Sequence, residues 1–409
     1  MNYEQAYALL KAHSQEHLLQ YYDELSQEGK ARLLAAIEAL DWSFEEDLKN
    51  PVDLSGAGRD IRPIKGMDLA EIENRKAEFE AAGVQAIKAG KVAAVLLAGG
   101  MGTRLGVDGP KGAYDIGVTK PLYIFEQQMK NLMEVVEKVG VFVPLYIMTS
   151  DKNHEATTSF WKEHGYFGYP ENLVKFFKQD MAPAVDYDGK IFLETKDMPA
   201  MSPNGNGGWF ASMKKAGLVD DLNEKGVEWL NIYAVDNVLQ RIADPVFVGA
   251  TILAEVNCGA KCISKNNPYE KVGVMCLDGE KPDIIEYYEL TEEMANQKDE
   301  DGNLAYRFGA IMNYLFRLST LEEIVNKKIP VHIVEKKIER LCEDGVTRKP
   351  EKENGKKFEM LAVDLIKLMG SVLPYVVVRE KEFAPIKNKT GVDSVESARE
   401  LLKLNGVEL

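Results

Sequence analysis

The run Val92–Leu97, VAAVLL, is the strongest constraint on the fold. It has no polar residue and no alternation, so a strand made of it needs apolar cover on both faces. That is the situation of an inner strand in a largely parallel sheet flanked by helices. The residues that follow are AGGMGTRLGVDGPKGAYD, Ala98 to Asp115. A glycine-rich loop at the C-terminal end of such a strand stands where open α/β sheets take their ligands. Glycine lets backbone amides approach a phosphate, and Arg104 and Lys111 carry charge that neutralises phosphate oxygens. Taken alone, the loop reads equally as an ordinary turn and Arg104 as an ordinary surface charge. Two phosphate-loop fingerprints fail. Leu105 stands where GxGxxG needs its last glycine, and Gly112 follows Lys111 where a Walker loop needs Ser or Thr.

The pattern around this core predicts an α/β chain. Apolar spacing predicts helices from Tyr3 to about Leu40, separated at Gly29. A loop with Pro51, Gly56, Gly58 and Pro63 follows, then further helix in LAEIENRKAEFEAAGVQAIKAG, interrupted near Gly83. From Val92 strands alternate with helices. Strands are predicted at Val143–Ser150 and in LVKFFKQ, KIFLE and EWLNIYAV; helices are predicted in PLYIFEQQMKNLMEVVEKVG, HEATTSFWKEH and GWFASMKKAG. This rhythm predicts a doubly wound sheet. Later, FVGATILAEVN and AKCISKN read as strands, and VGVMCLDGEKPDIIEYYEL as a hairpin turning at Asp278-Gly279 followed by a further strand. GAIMNYLFRLSTLEEIV and FEMLAVDLIKLMG read as helices, RKPEKENGKKFEM as an exposed linker or hairpin tip, LPYVVVRE as a strand, and the residues from about Ser394 as a closing helix.

With 409 residues the chain can bury a large core in two or three domains. A net charge of -15 argues against a duplex nucleic-acid surface or an anionic membrane as partner. It leaves a small anionic substrate open, because local charge decides that. Cys258, Cys262, Cys276 and Cys342 are scattered without metal-ligand spacing, which favours buried free thiols over zinc. MNYEQAYALL is too polar for a leader and no apolar run approaches membrane-spanning length, so the expected location is the cytoplasm.

Taken together, LAGGMGTRLG, PKGAYDIG, YIMTS, FFKQDMAPAVDYDGKIFLE, SPNGNGG, VDNVLQRIADPVFVG, IEYYEL and REKEFAPIKN resemble the eukaryotic-type UDP-sugar pyrophosphorylases, in order, from about residue 90 to the C-terminus. The resemblance implies a central Rossmann-like nucleotidyltransferase domain with a mixed sheet over residues 89–335. It also implies a helical N-terminal portion over 1–88 and a small C-terminal α/β domain over 336–409. It implies uridylyl transfer: UTP and a hexose 1-phosphate give a UDP-sugar and pyrophosphate, with Mg2+ shielding the phosphates. N-acetylglucosamine 1-phosphate is slightly favoured as acceptor; glucose 1-phosphate or a broad sugar range are the alternatives. A non-catalytic nucleotide-binding regulator on the same scaffold is a different class of reading. The expected state is a monomer or weak homo-oligomer.

The resemblance also distributes roles. Leu97, Ala98, Gly99, Gly100, Gly102 and Thr103 would surround the nucleotide, with Gly100 near the uracil. Arg104 would face the pyrophosphate leaving group, and Lys111 the nucleotide phosphates. Gln179 would read the uracil edge, which suits an amide with one donor and one acceptor side; alone it reads as a strand-end cap. Met181 and Pro183 would be pocket walls. Gly205 would touch uracil and Asn206 the sugar, although SPNGNGG alone is a turn before a helix. Asp236 would hold the metal near the α-phosphate; alone it suits a helix cap. Lys387 would reach the reacting phosphate, where the plain alternative is a surface lysine. Glu286 and Tyr287 would flank the hexose, or form a solvated strand pair. Where the family carries a sugar-binding asparagine this chain has Ala310, with Arg307 as a candidate to compensate.

Overall fold

The computed structural model describes residues 1–52 and 58–409; Gly56 of the expected loop lies outside them. The chain forms two compact units interleaved in sequence. One comprises Met1–Asp53, Asp180–Gly208 and Ile329–Leu361; the other Leu54–Gln179, Trp209–Lys328 and Ala362–Leu409. This grouping differs from three consecutive segments for a packing reason. In the first unit, Leu10, Leu33 and Ile37 of the N-terminal helices are buried with Val185, Ile191, Leu193 and Phe358 of the two later segments. In the second, Val372–Val376 near the C-terminus pairs with Cys258–Ser264 in the large sheet.

That sheet has ten strands, and its main path runs Ile61–Pro63, Val274–Asp278, Phe308–Arg317, Trp229–Ala234, Val92–Leu97, Leu145–Thr149, Val174–Lys178. The last four run parallel to one another, while Phe308–Arg317 is antiparallel to Trp229–Ala234, so the sheet is mixed. All six residues of Val92–Leu97 are buried, as an inner strand requires. The hairpin at Asp278-Gly279 forms as expected, and Ser394 caps the closing helix Val395–Leu404.

Several expectations are corrected. Gly29 lies inside the helix Gln27–Glu38; the separation falls earlier, in short helical turns at Glu16–Leu19 and Tyr22–Glu24, and Ser26 caps the second helix. Pro63 belongs to a short edge strand, antiparallel to Val274–Asp278. The helix Leu69–Lys88 passes unbroken through Gly83. FVGATILAEVN contributes most of a helix, Pro245–Leu253, rather than a strand. The two facts share one cause. A Cβ on Gly83 would lie 1.8 Å from the Pro245 carbonyl oxygen, and one on Gly249 only 1.7 Å from that of Phe79. The glycines let two helix backbones touch. GAIMNYLFR is a strand, Phe308–Arg317, and only Leu318–Ile324 is helical. A left-handed Met312, φ 53°, breaks the strand's alternation and disguises it. FEMLAVDLIKLMG divides into the end of a strand, Gly355–Glu359, and a helix, Asp364–Met369. All four cysteines are unpaired; three are buried and Cys342 is half-buried.

Candidate functional site

Val92–Leu97 lies between Leu145–Thr149 and Trp229–Ala234, parallel to both. The chain first adds strands on one side and later returns on the other, which makes this a topological switch point with a crevice at the C-terminal strand ends. Two functional segments leave from there side by side: the Val235 amide donates to the Leu97 carbonyl at 3.2 Å. One segment is the glycine loop, the other carries Asp236.

The loop folds back on itself. Gly102 N–H donates to Gly109 O at 2.8 Å and Lys111 N–H to Gly100 O at 3.2 Å. Thr103 and Arg104 stand exposed in a helical turn, Thr103–Leu105, at the tip. Lys111 opens a second turn, Lys111–Ala113. Asn153, fully buried, donates from Nδ2 to Ala98 O at 2.9 Å and Gly100 O at 3.2 Å. The Ala98 amide is spent on Met148 O and that of Gly102 on Gly109 O. Of Gly99, Gly100 and Gly102, the first two have amides with no such acceptor among the described residues, which leaves them open to an anion. Gln179 follows the strand Val174–Lys178, is buried, and presses on Gly99: a Cβ there would stand 2.4 Å from Gln179 Nε2.

Lys111 Nζ lies 3.9 Å from Asp236 Oδ2. Burial lowers the pKa of Lys111; Asp236 opposes that, and the positive charges of Arg104 and Lys387 add to it. Three cations and one carboxylate therefore share one electrostatic neighbourhood. Lys387 arrives on residues 383–387, which run beside 236–238: Ile386 N–H donates to Asp236 O at 2.8 Å and Val238 N–H to Ala384 O at 3.3 Å. Lys387 Nζ is exposed and bonds Asp393 Oδ2 at 3.0 Å. A single half-buried carboxylate suits a Mg2+ that keeps waters and takes most of its oxygen ligands from substrate phosphates. Among the described residues no group of three His, Cys, Asp or Glu forms a protein-only metal cage.

The remaining predicted residues lie on other elements. Glu286 and Tyr287 follow the hairpin strand Lys281–Ile285; Glu286 N–H donates to Glu289 Oε2 at 2.7 Å and Tyr287 is exposed. Ala310 is half-buried in its strand, its amide bound to Gly273 O at 2.8 Å. One nitrogen of the Arg307 guanidinium, Nη1, is held by Asp299 and donates to Leu304 O at 3.4 Å. Gly205, Asn206, Met181 and Pro183 belong to the other unit. There Met181–Pro183 pairs with Met201–Pro203, and Gly205, at φ 87°, leaves no room for a Cβ beside Met360 O, 2.2 Å away.

Residues absent from the sequence reading support this arrangement. Asn237 bonds Glu382 O at 2.7 Å and accepts from Ala384 N–H at 2.9 Å, aligning the Lys387 segment. Gln128 donates to Ala234 O and Asn237 O, Asn131 to Val238 O and Gln240 O. Asn231 accepts from Ala243 N–H at 2.7 Å. The available signal was amides inside otherwise apolar elements, such as QQMKN and NIYA. Buried amides need partners, and here the partners are the carbonyls and amides of the loop after Asp236.

Comparison with known proteins shows the family and the fold. A profile of the family described as UTP–glucose-1-phosphate uridylyltransferase matches residues 57–405. The chain is 36% identical to UDP-N-acetylhexosamine pyrophosphorylase-like protein 1 of Homo sapiens, over 97% of this chain and 83% of that protein. It is 34% identical to the UDP-N-acetylglucosamine pyrophosphorylase of Saccharomyces cerevisiae, over 94% and 86%. The crystal structure of the uridine diphosphate N-acetylglucosamine pyrophosphorylase from Trypanosoma brucei superposes with a TM-score of 0.83 at 28% identity, covering 98% of this chain and 84% of that one. The chain belongs to the UTP–glucose-1-phosphate uridylyltransferase family, enzymes that convert UTP and a sugar 1-phosphate into a UDP-sugar and pyrophosphate.

Proposed function

We propose that this protein transfers a uridylyl group from UTP to N-acetylglucosamine 1-phosphate, with Arg104, Lys111 and Lys387 at the phosphates. The observation that carries the reading is the meeting of Lys111 and Asp236 at adjacent parallel strand ends, with Arg104 and Lys387 within electrostatic reach. The acceptor phosphate oxygen attacks the α-phosphorus, and the bond to the bridging oxygen of the β-phosphate breaks. That nucleophile is already an anion, so the chain has to supply alignment and charge rather than a strong base. Gly99 and Gly100 amides and Lys111 hold the triphosphate, Arg104 takes the charge that grows on pyrophosphate, and Lys387 draws in the acceptor phosphate. Asp236 would hold Mg2+, which when bound shields the phosphate charges. Gln179 reads the uracil edge beside Gly99.

The choice of acceptor rests on the relatives, whose names specify N-acetylglucosamine or N-acetylhexosamine. Glu286 and Tyr287 are the sugar contacts of the large unit in this reading, and the absence of an amide at Ala310 makes glucose 1-phosphate the second candidate. No helix in the described residues is long and apolar enough to cross a membrane, and the unpaired cysteines support a reducing, cytoplasmic setting. The acidic net charge supports small-molecule partners over nucleic acid, and a monomer or weak homo-oligomer completes the proposal. The test is chromatography of products from UTP, Mg2+ and a panel of hexose 1-phosphates. UDP-N-acetylglucosamine with pyrophosphate is expected; folded protein that forms no UDP-sugar with any acceptor defeats the reading.

A further inference from the structure

The large unit holds a buried charge cluster outside the phosphate site. Lys261, in the strand Cys258–Ser264, has no exposed surface. Its Nζ donates to Glu382 Oε2 at 2.6 Å and to the Arg241 carbonyl at 3.1 Å, and lies 3.6 Å from Asp244 Oδ2. These partners come from two segments that converge on the site. Arg241 and Asp244 end the loop that begins at Asp236, and Asp244 caps the helix Pro245–Leu253. Glu382 closes the short helix Arg379–Glu382, directly before residues 383–387 run beside Asp236 and deliver Lys387. Beyond the Lys261 pair, Glu382 offers its carbonyl to Asn237 Nδ2 at 2.7 Å.

A buried ion pair is poor value as a stabiliser, since two apolar side chains of similar size commonly do as well or better. What it supplies is direction: the ammonium binds three oxygens from two loops and permits one separation between them. We infer that Lys261 is a positioning residue for the transfer reaction, fixing through Glu382 the distance between the Lys387 arm and the Asp236 loop. This rests on the role proposed above for Lys387.

The test uses the full-length protein. Lys261→Met alone leaves buried Glu382 and Asp244 without their ammonium and will lose stability, so the informative variant is Lys261→Met with Glu382→Met, in which Asp244 keeps the Arg241 charge beside it. With thermal unfolding near the parent's, its kcat is expected to fall about tenfold or more, because small misplacements of a reacting group are costly. Its KM for UTP should stay within about twofold of the parent, since ground-state nucleotide binding is untouched. In a Lys387→Ala background the same pair of changes should alter kcat by less than about twofold, because the arm it positions no longer acts. Full turnover of the paired variant, or an equal loss in both backgrounds, overturns the inference. A fully active Lys387→Ala overturns it too, by removing the Lys387 role, while UDP-sugar formation by the parent keeps the uridylyl reading separate.

Discussion

Lys111 Nζ and Asp236 Oδ2 stand 3.9 Å apart, one on the loop after Val92–Leu97 and the other just past Trp229–Ala234. The spacing is longer than a direct charged hydrogen bond, so both groups keep capacity for a ligand. The lysine is the more buried, with its side chain 16% exposed against 27% for the aspartate. In the site as proposed, the triphosphate is Lys111's main partner and the metal is Asp236's.

These two roles separate in one experiment. Lys111→Ala should weaken UTP binding with or without Mg2+, by about ten- to a hundredfold for a lost charged hydrogen bond. Asp236→Asn should weaken binding only when Mg2+ is present. Without metal it should tighten binding, because a negative charge facing the triphosphate is gone. Equilibrium titration of UTP in Mg2+ and in chelator reads both. Equal losses for Asp236→Asn in the two conditions would remove it as a metal ligand.

A second prediction concerns the crossing of Leu69–Lys88 and Pro245–Leu253. Gly249→Ala puts a methyl 1.7 Å from the Phe79 carbonyl oxygen, where backbone must move. The loss of stability should reach about 3 kcal/mol, the upper part of the range for overpacking. Urea unfolding of the two proteins measures it. Gly140→Ala is a poor control because Gly140 sits at φ 83°; Gly109 has open space and no such backbone requirement, and Gly109→Ala should change stability little.

The same crossing shows why parts of the fold were illegible. VFVGATIL is apolar on every side, and an all-buried run carries no period that separates helix from strand. GAIMNYLF failed in the opposite direction, because the bulge at Met312 shifts its alternation. Val92–Leu97, the hairpin at Asp278-Gly279 and Ser394 were legible, because burial on both faces, a turn pair and a cap each leave a local mark. In the site, Lys111, Asp236, Gly99 and Gln179 could be nominated from local sequence and resemblance. Their supports could not: Asn153 acts on Gly100, 53 residues away, and Asn237 and Lys261 on Glu382, 145 and 121 residues away, separations no local pattern encodes.

Gln179 gives the third prediction. Its amide lies against Gly99 at the base of the glycine loop, buried and directed by the strand before it. Gln179→Ala should weaken UTP binding by at least the about 1 kcal/mol of one neutral hydrogen bond, and should narrow the preference for UTP over CTP. Gly99→Ala should do similar damage while leaving Gln179 itself in the sequence, since its methyl displaces the Gln179 amide. Competition titrations with the two triphosphates test both variants. Unchanged base preference in Gln179→Ala would leave the residue as a strand-end cap.

Arg104 supplies the last. It is exposed at the loop tip and makes no hydrogen bond or ion pair among the described residues, unlike Lys111 and Lys387, which have Asp236 and Asp393. Among the described residues nothing holds its guanidinium, which leaves it available for the role proposed above, toward a group that arrives with substrate or develops during reaction. The pyrophosphate leaving group does the latter, gaining charge as the bond to the α-phosphorus breaks. A contact made chiefly in the transition state lowers kcat when removed and leaves ground-state binding nearly intact. Arg104→Ala should therefore cut single-turnover rates on the order of a hundredfold, about 3 kcal/mol, with only a modest change in UTP dissociation. Arg104→Lys should recover part of the rate, because charge returns without the planar fork that grips two oxygens at once. Lys111→Ala is the internal comparison, since it should lose binding and rate together. If Arg104→Ala turns over at the parent's rate, the loop tip is a solvated turn, and charge on the leaving group must be met without it.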